Sequence, residues 1–224
     1  MERTCIRTPL RRFYLGDAVY FITTVTHRRH PFFREPIFAD LFAIDLWFAG
    51  KIREFRLFGY TVVGDHVHVL VQPFGSSNIS DILGSLKRNV SRDINDMIQD
   101  SPLSRITAGD DSNRPLPRDF ETMRATVDAM RSAHPSLSQA TLERHFQLIF
   151  DLRTRFRRNS KIKSSAMEFR WQKSFYDHVI RGEEDFLKHL EYIFGNAVKH
   201  KLAREPQDWR WMWVFGMDEP KEFQ

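Results

Sequence analysis

Leu57-Phe58-Gly59-Tyr60-Thr61-Val62-Val63-Gly64-Asp65-His66-Val67-His68-Val69-Leu70-Val71-Gln72 is the stretch from which the fold is read. Residues 57–63 and 66–72 are rich in β-branched and aromatic side chains, and the turn-forming pair Gly64-Asp65 separates them. They read as adjacent antiparallel strands. Upstream, Ala18 to Thr26 has the same character after the turn-like Gly16-Asp17 and reads as another strand. Between the two, Pro36 suits a first helical position, and Ile37, Leu41, Ile44, Phe48 and Ile52 recur at helical spacing up to Phe55. Downstream, Ser77-Asn78 suits the cap of a second helix with an apolar stripe of Ile79, Ile82, Leu83, Leu86, Val90, Ile94 and Met97.

His66 and His68 sit two apart on a strand, so both imidazoles leave the same face and can reach one metal ion. Far downstream, Gly182 to His200 carries a helical pattern with Phe186, Leu190, Ile193, Phe194 and Ala197 inward. Asp185, His189, Tyr192, Asn196 and Lys199 fall on a neighbouring polar stripe. Tyr192 and Asn196 are one turn apart, which sets a phenol beside an amide oxygen. Two imidazoles and an amide oxygen leave coordination positions open for a phosphate, with the tyrosine as nucleophile. Each residue also has a plainer reading. An isolated His-x-His in a strand is more often structural, Asn196 suits a cap or cross-link, and Tyr176 competes with Tyr192 because it lies beside Asp177 and His178.

The chain has 224 residues, long enough for one domain, or one domain plus an insertion. Lys and Arg number 34 against 29 Asp and Glu, a net charge of +5, with a pI near 9.5. That balance suits a polyanionic partner without requiring one. A single cysteine, Cys5, excludes an internal disulfide framework and predicts a reducing, cytoplasmic setting. No apolar run has the roughly 18 residues of a membrane span, and the first residues lack a signal-peptide core.

From about residue 100 to 166 the character changes. Pro102, Gly109-Asp110-Asp111 and Pro115-Leu116-Pro117 mark an irregular linker, followed by helical patterns near Phe120 to Met130 and Leu137 to Phe156. This region reads as a mainly helical insertion in a single domain. It ends in a basic cluster of Arg153, Arg155, Arg157, Arg158, Lys161 and Lys163. Phe169-Arg170-Trp171 then reads as a short strand. Trp209, Trp211 and Trp213 alternate as a half-buried strand would, and stacking on bases is the rarer use of such a pattern.

Four phrases of this chain resemble, in order, the REP-associated tyrosine transposases. They are Ala18-Val19-Tyr20-Phe21-Ile22-Thr23, Asp65-His66-Val67-His68-Val69-Leu70, Trp171 through Arg181, and Glu191 through His200. These proteins are single-tyrosine relatives of the HUH (His-hydrophobic-His) transposases, and the likeness covers roughly residues 10 to 98 and 168 to 213. It implies a ferredoxin-like α+β domain with an antiparallel sheet carrying His66 and His68, and a helix carrying Tyr192 against it. It also implies cleavage of single-stranded DNA near palindromic hairpins, with a divalent metal (Mg2+ or Mn2+) held by His66, His68 and Asn196. Tyr192 would attack to give a 5′-phosphotyrosine. Lys87, Arg88, Arg92, His178, Arg181 and Lys199 are the candidate DNA contacts, and the acting species is a monomer or a homodimer. A non-catalytic protein that binds hairpin DNA or RNA is the alternative.

The chain departs from the family in three places, one of them Phe194, which occupies a position often polar in relatives. It reads Asn196-Ala197-Val198-Lys199-His200-Lys201 where relatives commonly have Asn-Pro-Val-Lys-His-Gly, so the helix is expected to run on past the usual end. The long insertion also stands where a short link is usual.

Overall fold

A computed structural model describes residues 18–99, 120–159 and 167–220. In chain order they form β1 (Tyr20–Val25), α1 (Pro36–Ile52), β2 (Phe55–Val63), β3 (His66–Pro73), α2 (Ile79–Gln99), α3 (Phe120–Ala133), α4 (Gln139–Asn159), β4 (Tyr176–Val179), α5 (Glu183–Lys199) and β5 (Met212–Val214). The sheet order is β4-β1-β3-β2-β5, with every neighbouring pair antiparallel. This is an α+β, ferredoxin-like sheet with β5 added beyond β2.

Strand alternation sorts the side chains onto two faces. Tyr20 and Ile22 of β1 and Val67, Val69 and Val71 of β3 join α1 and α2 in the main core. Phe21 of β1 and Leu70 of β3 turn the other way and meet Ile193, Phe186 and Leu190 of α5. α2 starts where the sequence predicts, with Asn78 Oδ1 accepting the Asp81 amide at 3.0 Å. α1 is buried over most of its circumference, because α4 covers its outer side through Ile149, Leu152 and Phe156. A second cluster of Val127, Met130, Leu137, Leu142 and Phe146 joins α3 and α4 to Phe48 and Ile52 of α1. The expected linker before α3 lies outside the described residues.

Several expectations need correction. α1 stops at Ile52, and Phe55 opens β2 instead, where its ring is buried. Residues 169–171 supply only an isolated bridge, Thr26 to Trp171, and the strand that completes this edge is β4. Phe194 points outward, 36% exposed. α5 does not run on: Leu202 N–H donates to Ala197 O and Lys201 N–H to Val198 O, both at 2.9 Å. Those two bonds close a Schellman motif, with Lys201 at φ 58 in the position usually given to glycine. No helix among the described residues is long and apolar enough to cross a membrane.

Candidate functional site

The three central strands place one row of polar groups under α5. Thr23 of β1, His68 of β3 and Thr61 of β2 are in register across the sheet, and Val25, His66 and Val63 form the next row. His66 and His68 therefore share a face, and both are buried, with ring centroids 4.9 Å apart.

Each imidazole is oriented by a neighbour. Asp65 Oδ1 lies 2.6 Å from His66 Nδ1, and Arg29 Nη1 donates to the other oxygen, Asp65 Oδ2, at 2.9 Å. Burial pushes the Asp65 carboxyl up, but the bonds from His66 and Arg29 prevail and hold it below the usual carboxylate range. An ionised Asp65 accepts a hydrogen bond from His66 Nδ1–H and so leaves the Nε2 lone pair free for a ligand, the usual outer support of a metal-binding histidine. Thr23 Oγ1 lies 2.7 Å from His68 Nδ1 and does the same for that ring. Burial, with the charges of His66, His200 and Lys199, pushes His68 down to about 3, so the ring is neutral.

α5 begins at Gly182, whose φ of 134 suits glycine. Glu183, Glu184 and Asp185 in the first turn favour the positive end of the helix dipole. Ile193 and Ala197 are fully buried against the sheet. The close approach is allowed by Gly59: a Cβ there would meet Trp213 O and Val214 Cγ1 at 3.2 Å and Ile193 Cδ1 at 3.4 Å. On the next stripe, Asn196 is 1% exposed and Tyr192 37% exposed. The Tyr192 ring stands edge-on to His68 at 5.1 Å and to Phe21 at 5.7 Å. Lys199 Nζ lies 4.9 Å from its centroid, and the His200 ring is 5.1 Å from His66.

The buried polar atoms test whether a metal suits these residues. His68 Nε2, Thr61 Oγ1 and both side-chain atoms of Asn196 have no hydrogen-bond partner among the described residues. Such atoms cost about 1–3 kcal/mol each when left unsatisfied. His68 Nε2, Thr61 Oγ1 and Asn196 Oδ1 are neutral electron-pair donors on the α5 side of the sheet, a set that fits a divalent cation with positions left over.

The remaining predicted residues divide. Arg88, Arg181 and Lys199 are exposed. Lys87 is a correction: its ammonium donates to Gln172 O at 2.9 Å and lies over the Trp171 ring, so it ties down the 171–174 segment. Arg92 is another, because its Nε donates to Asp93 at 2.8 Å and it lines an internal cavity. At the end of α4, Arg153 is buried and Arg155 lies 3.7 Å from Asp40, while Lys161 and Lys163 lie outside the described residues. His178 holds Asp185 at 2.8 Å. Tyr176 sits on edge strand β4, 71% exposed. The three tryptophans direct their indole N–H groups inward, to Val62 O, Asp40 and Met217 O. Reading the sequence missed Thr23, Thr61, Asp65 and His200 as parts of this cluster. Asp65 carried a signal, being adjacent to the histidine pair, whereas the threonines join it only through strand register.

Residues 16–105 match the model of the family Transposase IS200 like. A protein of Haemophilus influenzae named as a REP-associated tyrosine transposase is 44% identical over 39 residues, 17% of this chain and 22% of its own length. The REP-associated tyrosine transposase of Escherichia coli is 41% identical over 39 residues, 17% of this chain and 24% of its own. The chain thus matches about a quarter of the length of these relatives. A solved REP-associated tyrosine transposase bound to a REP hairpin superimposes with a TM-score of 0.46 and 16% identity, covering 92% of this chain and 81% of that one.

Proposed function

From a chain that is similar to the REP-associated tyrosine transposases and whose residues 16–105 match the IS200-like family, we propose a DNA strand transferase. Its substrate is single-stranded DNA beside a palindromic hairpin, met in the cytoplasm. The observation that carries this reading is a set of buried, unpartnered donors on the α5 side of the sheet. His68 Nε2 and the Asn196 amide are buried and unbonded among the described residues, His66 has its Nδ1 held by Asp65, and the phenol ring stands 5.1 Å from His68.

His66, His68 and Asn196 would hold Mg2+ or Mn2+, which when bound polarises the scissile phosphate. Tyr192 Oη then forms a bond to phosphorus as the bond to the 3′-oxygen breaks. The product is a 5′-phosphotyrosine and a free 3′-hydroxyl, and the phosphodiester energy is retained for rejoining. The Lys199 ammonium beside the tyrosine ring places positive charge where the phenoxide and phosphate carry negative charge. Arg88, Arg181 and Lys199 contact the DNA backbone.

The test is a labelled single-stranded hairpin incubated with the protein and Mg2+ or Mn2+, resolved under denaturing conditions, with the adduct mapped to a peptide. We expect an adduct at Tyr192, and Tyr192→Phe to lower its yield by at least about 10^3-fold while hairpin binding is kept. An adduct at Tyr176 overturns the nucleophile. Cleavage without an adduct makes the protein a water-using nuclease, and binding without cleavage makes it a binding protein.

A further inference from the structure

We propose a second metal site at His178, Asp185 and His189, separate from the His66–His68 pair and binding zinc or a similar transition metal. A nitrogen from each ring and a carboxylate oxygen all lie within 4.8 Å of one another. His178 comes from β4, facing Phe21 of β1 in register, while Asp185 and His189 lie one turn apart on α5 and so share a face. The two rings stack at 4.9 Å with 19° between their planes. Both address the same carboxylate: His178 Nε2 is 2.8 Å from Asp185 Oδ2, and His189 Nδ1 is 3.2 Å from Oδ1.

Two further features prepare these groups as ligands. His189 Nδ1 also lies 2.8 Å from the Asp185 backbone carbonyl. That contact fixes the ring beside the carboxylate, an outer support of the kind common among metal-binding histidines. The His178 bond and the Arg181 amide hold the Asp185 carboxyl below its ordinary range, so it is ionised near neutrality. Two imidazoles and a carboxylate suit zinc, cobalt or nickel better than magnesium. Metal–ligand distances of about 2.0–2.2 Å require the donors to close in somewhat, and His178 is exposed enough to swing.

The cluster lies one ring away from the candidate catalytic pair, since Phe21 contacts His189 at 4.5 Å on one side and His68 at 5.2 Å on the other. A metal here joins edge strand β4 to the first turns of α5, and so holds the helix that carries Tyr192 onto the sheet. This inference does not depend on the DNA reading.

The test is calorimetric titration of ZnCl2 into the chelator-treated full chain, with Co2+ absorption as a second readout. We expect two equivalents in the native protein and one in His68→Ala. Asp185→Asn and His189→Gln should each also bind one, with the affinity of the lost site down by about 100-fold or more. The zinc-dependent rise in Tm should persist in His68→Ala. Zinc binding that survives both Asp185→Asn and His189→Gln unchanged, or no zinc binding at all, overturns the proposal and leaves the cluster as a hydrogen-bonded latch, whereas a single native equivalent that His68→Ala keeps and Asp185→Asn loses supports it.

Discussion

Two polar clusters occupy the interior, and they differ in how their charges are answered. Between α1, α2 and the α3–α4 hairpin lies a cavity of about 80 Å3 lined by Asp45, Arg92, Asp93, Asn89 and His145 among others. Its charges offset one another: Arg92 Nε donates to Asp93 at 2.8 Å, and Arg153 stabilises the same carboxylate against the burial that pushes it up. Burial, with the charge of Asp93, drives Asp45 well above its ordinary range and so toward the neutral form. The unbonded atoms include Asp45 Oδ2 and Asn89 Oδ1, which belong to residues lining a space that water can fill. Under α5 the unbonded atoms are the neutral donors His68 Nε2, Thr61 Oγ1 and the Asn196 amide, with no opposite charge to close on. A buried polar cluster therefore marks a candidate site when its donors remain unanswered, and marks a structural joint when its charges cancel.

The largest effect that sharpens this contrast is expected in the cancelled cluster. Asp93→Leu leaves Arg92 and its neighbours without their counter-charge and should destabilise the protein by about 3–5 kcal/mol in denaturant unfolding. The opposite sign is expected under α5. Asn196→Leu replaces two unbonded buried atoms by an apolar group of similar size and should raise the metal-free protein's stability by about 1–3 kcal/mol. It should at the same time abolish metal-dependent strand cleavage. A loss of stability in Asn196→Leu would break the comparison, because the amide would then have been satisfied.

His145 separates the clusters by pH. Burial, then Arg92, pushes it from 6.5 down to about 3, and its ring stacks on Phe48 at 3.6 Å. The unfolded chain takes up a proton below about pH 6.5 that the folded chain refuses, so this contribution to stability is complete above 6.5 and falls as pH drops toward 3. Asp45, raised in the folded state, acts in the opposite direction as pH falls through its folded value toward 3.8. Comparison with His145→Leu isolates the histidine. Between pH 6 and 5 the native protein should lose about 1 kcal/mol more than the variant in chemical unfolding. The smallest effect is at the end of α5, where Lys201→Gly relieves a left-handed backbone and should add up to about 1 kcal/mol to the unfolding free energy.

Much of this was legible in the chain, for reasons of periodicity. The 57–72 hairpin, β1, the start of α2 at Asn78 and the α5 stripe all follow patterns with period 2 or 3.6, and those patterns place His66, His68, Tyr192 and Asn196 on facing surfaces. β4 was not legible, because Tyr176-Asp177-His178-Val179 is a four-residue polar edge strand held mainly by pairing with β1. The basic candidates were read as solvent-facing. Lys87 and Arg92 turned inward because carbonyls and a carboxylate distant in sequence, or newly buried, were there to receive them. Thr23 and Thr61 have no local signature at all. Their place beside His68 is a product of strand register, which a single chain read residue by residue does not display.

The stand-off between α5 and the sheet bears on reaction geometry in a further way. The hydroxyl proposed as nucleophile rides on a helix and the histidines on a strand, so their separation is a layer spacing, set in part where Ile193 meets Gly59. A residue that touches neither the phenol nor an imidazole thus works as a length standard for both. One added methyl group at position 59 would crowd β5 first, at 3.2 Å from Trp213 O and Val214 Cγ1, and Ile193 of α5 at 3.4 Å, while leaving every reacting group chemically intact.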